Sequence, residues 1–108
     1  MTLSEKLITR YDELKKQVPD CLLLMQVGTF FQVMNEDART ASEITGLKLK
    51  MTGDVDNPVV SGGFPVSGLE KYLGKFAYAG HSVAIAWQDE TKERHIKEII
   101  RVQLEKTN

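Results

Sequence analysis

The sequence has one cysteine, three prolines and no apolar stretch approaching a membrane span among its 108 residues. A lone cysteine excludes a disulfide framework within the chain. Cys21, followed by Leu22, Leu23 and Leu24, reads as a buried thiol and points to a reducing, cytoplasmic compartment. Without a run of about 18 apolar residues no membrane helix or membrane partner is expected, and the opening "MTLSEKLITR" lacks the hydrophobic core of a secretory signal. An excess of one charge is missing too. Fourteen Lys and Arg stand against fifteen Asp and Glu, a net charge of -1, so no global basic field draws in a phosphate backbone and nucleic-acid binding has to use a local patch.

Catalytic and metal signatures are equally sparse. His81 and His95 have no further ligand at helical or strand spacing, which argues against a metal site. "SGGFPVSG" is rich in glycine but lacks the Lys-Ser/Thr pair of a phosphate-binding loop, so it reads as a bend into a helix. Glu36-Asp37 and Asp89-Glu90 are explained by a helix start and a turn. No nucleophile, base and orienter come together on local evidence, so neither an enzyme nor a cofactor is expected.

What is present is an ordinary globular composition, 42% hydrophobic and 27% charged, enough for one domain over residues 1–108 with its own core. Leu3, Leu7, Tyr11, Leu14 and Val18 make an amphipathic helix over 3–18, with Thr2 and Glu5 placed as a capping box and Pro19 as its end. "CLLLMQV" and "FFQVM" read as strands joined by a tight Gly-Thr step. "NEDARTASEITG" is a short helix capped by Asn35 and stopped by Gly46. "LKLKM" alternates as a strand, "TGDVDNP" is a loop and "VVSGGF" a further strand. Ser67 and Glu70 suggest a second capping box for a helix over 68–79, and "HSVAIAWQ" a strand. The tail over 92–106 suits either a helix or an edge strand. The fold class is α/β, a single mixed sheet of five to six strands flanked by about three helices, with Leu23, Phe31, Val33, Leu49, Leu73, Phe76 and Ile85 expected in one core.

Strands send alternate side chains to opposite faces, so Phe31 and Val33 share one face while Phe30 and Gln32 share the other. Spacing leaves two readings of Phe30. In one it is core and Gln32 a solvated neighbour; in the other the pair projects as an aromatic ring and an amide able to stack on a base and hydrogen-bond its edge.

This segment resembles the mismatch-recognition domain at the N-terminus of MutS proteins, MutS domain I, in which a Gly-Asp-Phe-Tyr-Glu core precedes an acidic, alanine-containing helix start. Here it reads Gly28-Thr29-Phe30-Phe31-Gln32, then "NEDARTAS". Tyr11, Leu14 and Lys15, the Gly-Phe-Pro of Gly63 to Pro65, Leu69 with Tyr72 and Leu73, and "GHSVAIAWQ" extend the resemblance along most of the chain. It implies a DNA-binding role in mismatch repair and DNA damage. Phe30 takes the place of a wedge that enters the minor groove and stacks on a mispaired base of a kinked duplex, and Gln32 that of a Glu that hydrogen-bonds the displaced base. ATP binding belongs to other parts of the parent family, since no clamp, lever or ATPase falls within these residues.

Mismatched or kinked duplex DNA is thus the expected partner, bound weakly by the isolated module, with other protein domains or subunits as further partners. A near-neutral chain leaves phosphate contacts to a few cations such as Arg39, Lys48 and Lys50, with Thr29 beside the wedge. Gln32 departs from the family by lacking a carboxylate, which implies weakened mismatch specificity. Val66-Ser67-Gly68 stands where the family has Tyr-His-Ala, and Ala86-Trp87 where it has Cys-Glu. The alternative reading is a protein-interaction or regulatory module that keeps the fold without touching DNA.

Overall fold

The computed structural model describes residues 4–102. Helix α1 (Glu5–Gln17) is capped by Ser4, whose hydroxyl accepts from the Leu7 N–H at 3.3 Å. The expected box of Thr2 and Glu5 is therefore corrected to a Ser4 cap, and Thr2 lies outside the described residues. Strands β1 (Leu22–Val27) and β2 (Phe30–Met34) form a hairpin across Gly28 and Thr29, with Gly28 at φ 64, a conformation that suits glycine at the first position of such a turn.

Helix α2 (Asn35–Thr45) follows at once and stops at Gly46, φ 76. Asn35 does not cap it. That residue sits at φ 57 and its Nδ2 donates to Asp12 Oδ1 at 3.4 Å, so the extended Met34 occupies the cap position without a side-chain bond. The alternating "LKLKM" becomes a strand only from Lys50, in β3 (Lys50–Asp54). Leu47 and Leu49 still turn the same way, both towards Gly62, but the Lys48 carbonyl oxygen also lies 3.3 Å from where a Cβ there would be, so this segment passes over β4 rather than pairing in the ladder. The expected loop at 52–58 is mostly strand, closed by a tight turn into β4 (Asn57–Pro65).

A 3-10 turn over Val66–Gly68 leads into α3 (Leu69–Tyr78). The box of Ser67 and Glu70 is not formed, because Ser67 falls inside that turn and Gly68 precedes the helix without a side-chain cap. Strand β5 (Val83–Gln88) and strand β6 (Arg94–Ile100) follow, so the ambiguous tail is an edge strand over Arg94–Ile100; residues 103–106 lie outside the described residues.

The six strands form one mixed sheet in the order β3-β4-β2-β1-β5-β6, in which β1 and β5 run parallel and the other neighbours antiparallel. Helices cover both faces. Tyr11 and Leu14 of α1 pack with Leu23, Met25, Met34 and Ala84, while Ala38 and Ala41 of α2 and Phe76 of α3 pack with Leu24, Phe31, Val33, Phe64 and Ile85. The expectation of one core is corrected accordingly. Leu23 belongs with α1, and Leu49 and Leu73 are only partly buried at the margin of the opposite core. A central strand clad on both sides reads as a continuous apolar run, and period-2 alternation then sorts its residues between two cores. No helix among the described residues is long and apolar enough to cross a membrane.

Candidate nucleic-acid interface

Helix α1 lies against β1 and β6 and shares its core with Met34 of β2 and Val59 of β4, which marks one face of the sheet. Phe30 and Gln32 lie on that face with Met34, but only Phe30 reaches solvent; Gln32, expected to be solvated or to project, is buried. Their neighbour Phe31 is fully buried on the opposite face, its ring 5.8 Å from Phe64 and edge-on to Trp87 at 5.1 Å, whereas Phe30 remains 38% exposed. The alternation thus separates two adjacent phenylalanines into a core residue and a surface residue.

Phe30, Gln32, Lys48, Leu49, Lys50, Gly62 and Gly63 line a groove of about 310 Å³. Its floor exists because β4 carries two glycines. Gly63 pairs with Gln32 across the ladder, and a Cβ there would come within 2.8 Å of Gln32 Nε2, so only glycine leaves room for the amide. Gln32 is 6% exposed, and its Oε1 has no hydrogen-bond partner. A buried acceptor without a donor is costly by about 1–3 kcal/mol.

Four of the six sequence-derived site residues, Phe30, Gln32, Lys48 and Lys50, therefore meet in one groove. Thr29 is exposed in the hairpin turn beside it, its carbonyl accepting from the Val66 N–H at 2.8 Å, and does not line it. Arg39 lies on α2, outside the lining, and reaches Glu36 at 3.5 Å. The glycine floor went unread in the sequence, although two glycines inside a strand signal a close approach of another group. His81 stands apart, and His95 Nε2 is 3.2 Å from Asp89, whose carboxyl is held below its usual range chiefly by hydrogen bonding from Thr91. Among the described residues, no group of three His, Cys, Asp or Glu is arranged to hold a metal ion.

The arrangement offers an aromatic face, one unpaired acceptor and two lysines at the rim. The family model described as MutS domain I matches residues 5–107. A relative from Methanothrix thermoacetophila, named DNA mismatch repair protein MutS, is 37% identical over 97 residues, covering 88% of this chain and 11% of the relative. Relatives of the same name from Flavobacterium johnsoniae and Zymomonas mobilis are 40% and 38% identical, covering 76% and 79% of this chain and 10% of each relative. The chain spans about a tenth of the length of the curated relatives it matches.

Proposed function

The chain belongs to the MutS domain I family, and from that premise we propose that it is a cytoplasmic DNA-binding module, acting as one unit, that inserts Phe30 at mispaired or distorted positions of duplex DNA. The observation that carries this reading is the exposed Phe30 beside the buried, unpaired Gln32 Oε1. A base already weakly paired is the cheapest to unstack, and the ring of Phe30 offsets part of the few kcal/mol that unstacking costs. The amide of Gln32 accepts an N–H from the displaced base but carries no charge. Perfect duplex is then repelled less than by a carboxylate, and discrimination is weak. The module performs no chemistry itself.

Titration of fluorescent duplexes with and without a mismatch at low salt tests this. Binding of neither at protein concentrations on the order of tens of micromolar would move the reading to a protein-interaction module. Gln32→Glu is expected to lower affinity for perfect duplex and to sharpen mismatch preference, since only a displaced base compensates a carboxylate so buried. Equal changes on both duplexes would count against a base contact at residue 32.

Affinity is also expected to fall steeply with salt, but through few contacts. Two lysines at the groove give a slope of log affinity against log salt of about -2, and Lys48→Ala should reduce its magnitude by about one. A slope near zero would exclude phosphate contacts at this rim.

A further inference from the structure

Resting on the DNA-binding reading above, we propose that Gln26 and Gln88 form a clasp that positions Phe30. The parallel ladder between β1 and β5 ends at the pair Met25 and Ala86. Beyond it, side chains take over. The Gln88 N–H donates to Gln26 Oε1 at 2.8 Å, the Gly28 N–H donates to Gln88 Oε1 at 2.7 Å, and Gln26 Nε2 donates to the Gly28 carbonyl at 3.0 Å. From β6, Arg94 Nε donates to the Gln26 carbonyl at 2.6 Å.

Both polar backbone atoms of Gly28 are thus held by side chains, and the Thr29 carbonyl is held by Val66. The next residue is Phe30. A two-residue turn at the margin of a sheet is otherwise steadied by the hairpin ladder, whose last pair is Val27 with Phe30. Fixing the turn before DNA arrives removes ordering that binding would have to supply, so Gln26 and Gln88 act on recognition through Phe30 without touching the duplex.

The two amides serve the clasp differently, which makes the inference separable from a general loss of packing. Gln88 contributes its oxygen alone, so a carboxylate there keeps the bond to the Gly28 N–H. Gln26 contributes donor and acceptor, so a carboxylate there sets oxygen against the Gly28 carbonyl.

The test compares Gln88→Ala, Gln88→Glu and Gln26→Glu in the 108-residue chain. Gly28 amide exchange is followed by NMR, mismatched and perfect duplex by titration, and folding by thermal melting. Gln88→Ala and Gln26→Glu are expected to speed Gly28 exchange and to weaken mismatched-duplex binding, each about threefold to tenfold, the worth of one hydrogen bond. Gln88→Glu is expected to match the parent in both. Unchanged exchange in Gln88→Ala, faster exchange without loss of binding, or Gln26→Glu behaving like the parent would overturn the clasp. If the parent chain binds neither duplex, the DNA-binding reading fails and the order of amide exchange among the three variants alone decides whether the clasp exists.

Discussion

Phe31→Ala is expected to cost about 3–5 kcal/mol of stability, while Phe30→Ala, one residue away, stays within about 1 kcal/mol of the parent. The difference follows from the faces of β2. Phe31 is fully buried against Phe64, Trp87 and the helices α2 and α3, so its loss leaves a cavity whose lining cannot all collapse, because Phe64 is itself held in a stack on Tyr72 at 3.9 Å. Phe30 opens onto the groove and leaves less behind. For a domain near 100 residues each kcal/mol shifts the melting midpoint by about 4–8 °C, so melting curves separate the two variants clearly. In duplex titrations the order reverses. Phe30→Ala is expected to abolish any preference for mispaired DNA in a folded protein, whereas Phe31→Ala affects binding only by unfolding it. Similar melting of both variants would remove the register on which the site depends.

The second large effect is expected at Asp37, which ties α1, β1 and α2 together. Its Oδ2 accepts from the Leu23 N–H at 3.0 Å and from the Tyr11 hydroxyl at 3.1 Å, and its Oδ1 from Lys15 Nζ at 3.0 Å. Asp37→Ala strands the Leu23 N–H in the core and leaves Lys15 without its carboxylate. Breaking a fully buried ion pair costs about 3–5 kcal/mol, but the Lys15 side chain keeps 31% of its surface in solvent, so about 2–4 kcal/mol is expected, read from denaturant unfolding.

The same cluster sets an alkaline limit. Burial first, and then the charge of Asp37, raise the Tyr11 pKa well above the usual value of 10.0. The folded state therefore keeps a proton that the unfolded chain releases. This contribution is intact below about pH 10 and declines above it by about 1.4 kcal/mol per pH unit until Tyr11 ionises. Unfolding free energies measured from pH 8 to 11 should show that decline, and Tyr11→Phe should lack its Tyr11 share. A parent curve flat to pH 11 would contradict the burial of this hydroxyl.

Much of this is legible in the sequence, for identifiable reasons. A strand's period of two puts Phe30 and Phe31 on opposite faces, and Val33 marks the face of Phe31 as apolar, but spacing alone leaves open whether Phe30 is core. Helix stops at Gly46 and after Tyr78 follow from glycines that accept positive φ, 76 at Gly46 and 89 at Gly80. Features that depend on neighbours distant in sequence were not legible. Leu23 could not be assigned to a core because β1 is apolar on both faces and nothing local says which helix covers which. Asn35 looked like a cap, but Asp12, from another helix, engages its side chain. The Gly62-Gly63 floor has meaning only once β2 and residues 47–49 lie beside it.

The parallel pairing of β1 with β5 also bears on how the chain reaches its fold. Leu22 to Met25 must find Val83 to Ala86 across some 60 residues, while the hairpins β1-β2 and β3-β4 form between near neighbours. Closing that long loop costs entropy before any contact rewards it, which slows folding relative to a chain built from local contacts. During synthesis β1 to β4 emerge first and supply one side of the sheet, while β1 keeps an open edge until β5 has left the ribosome.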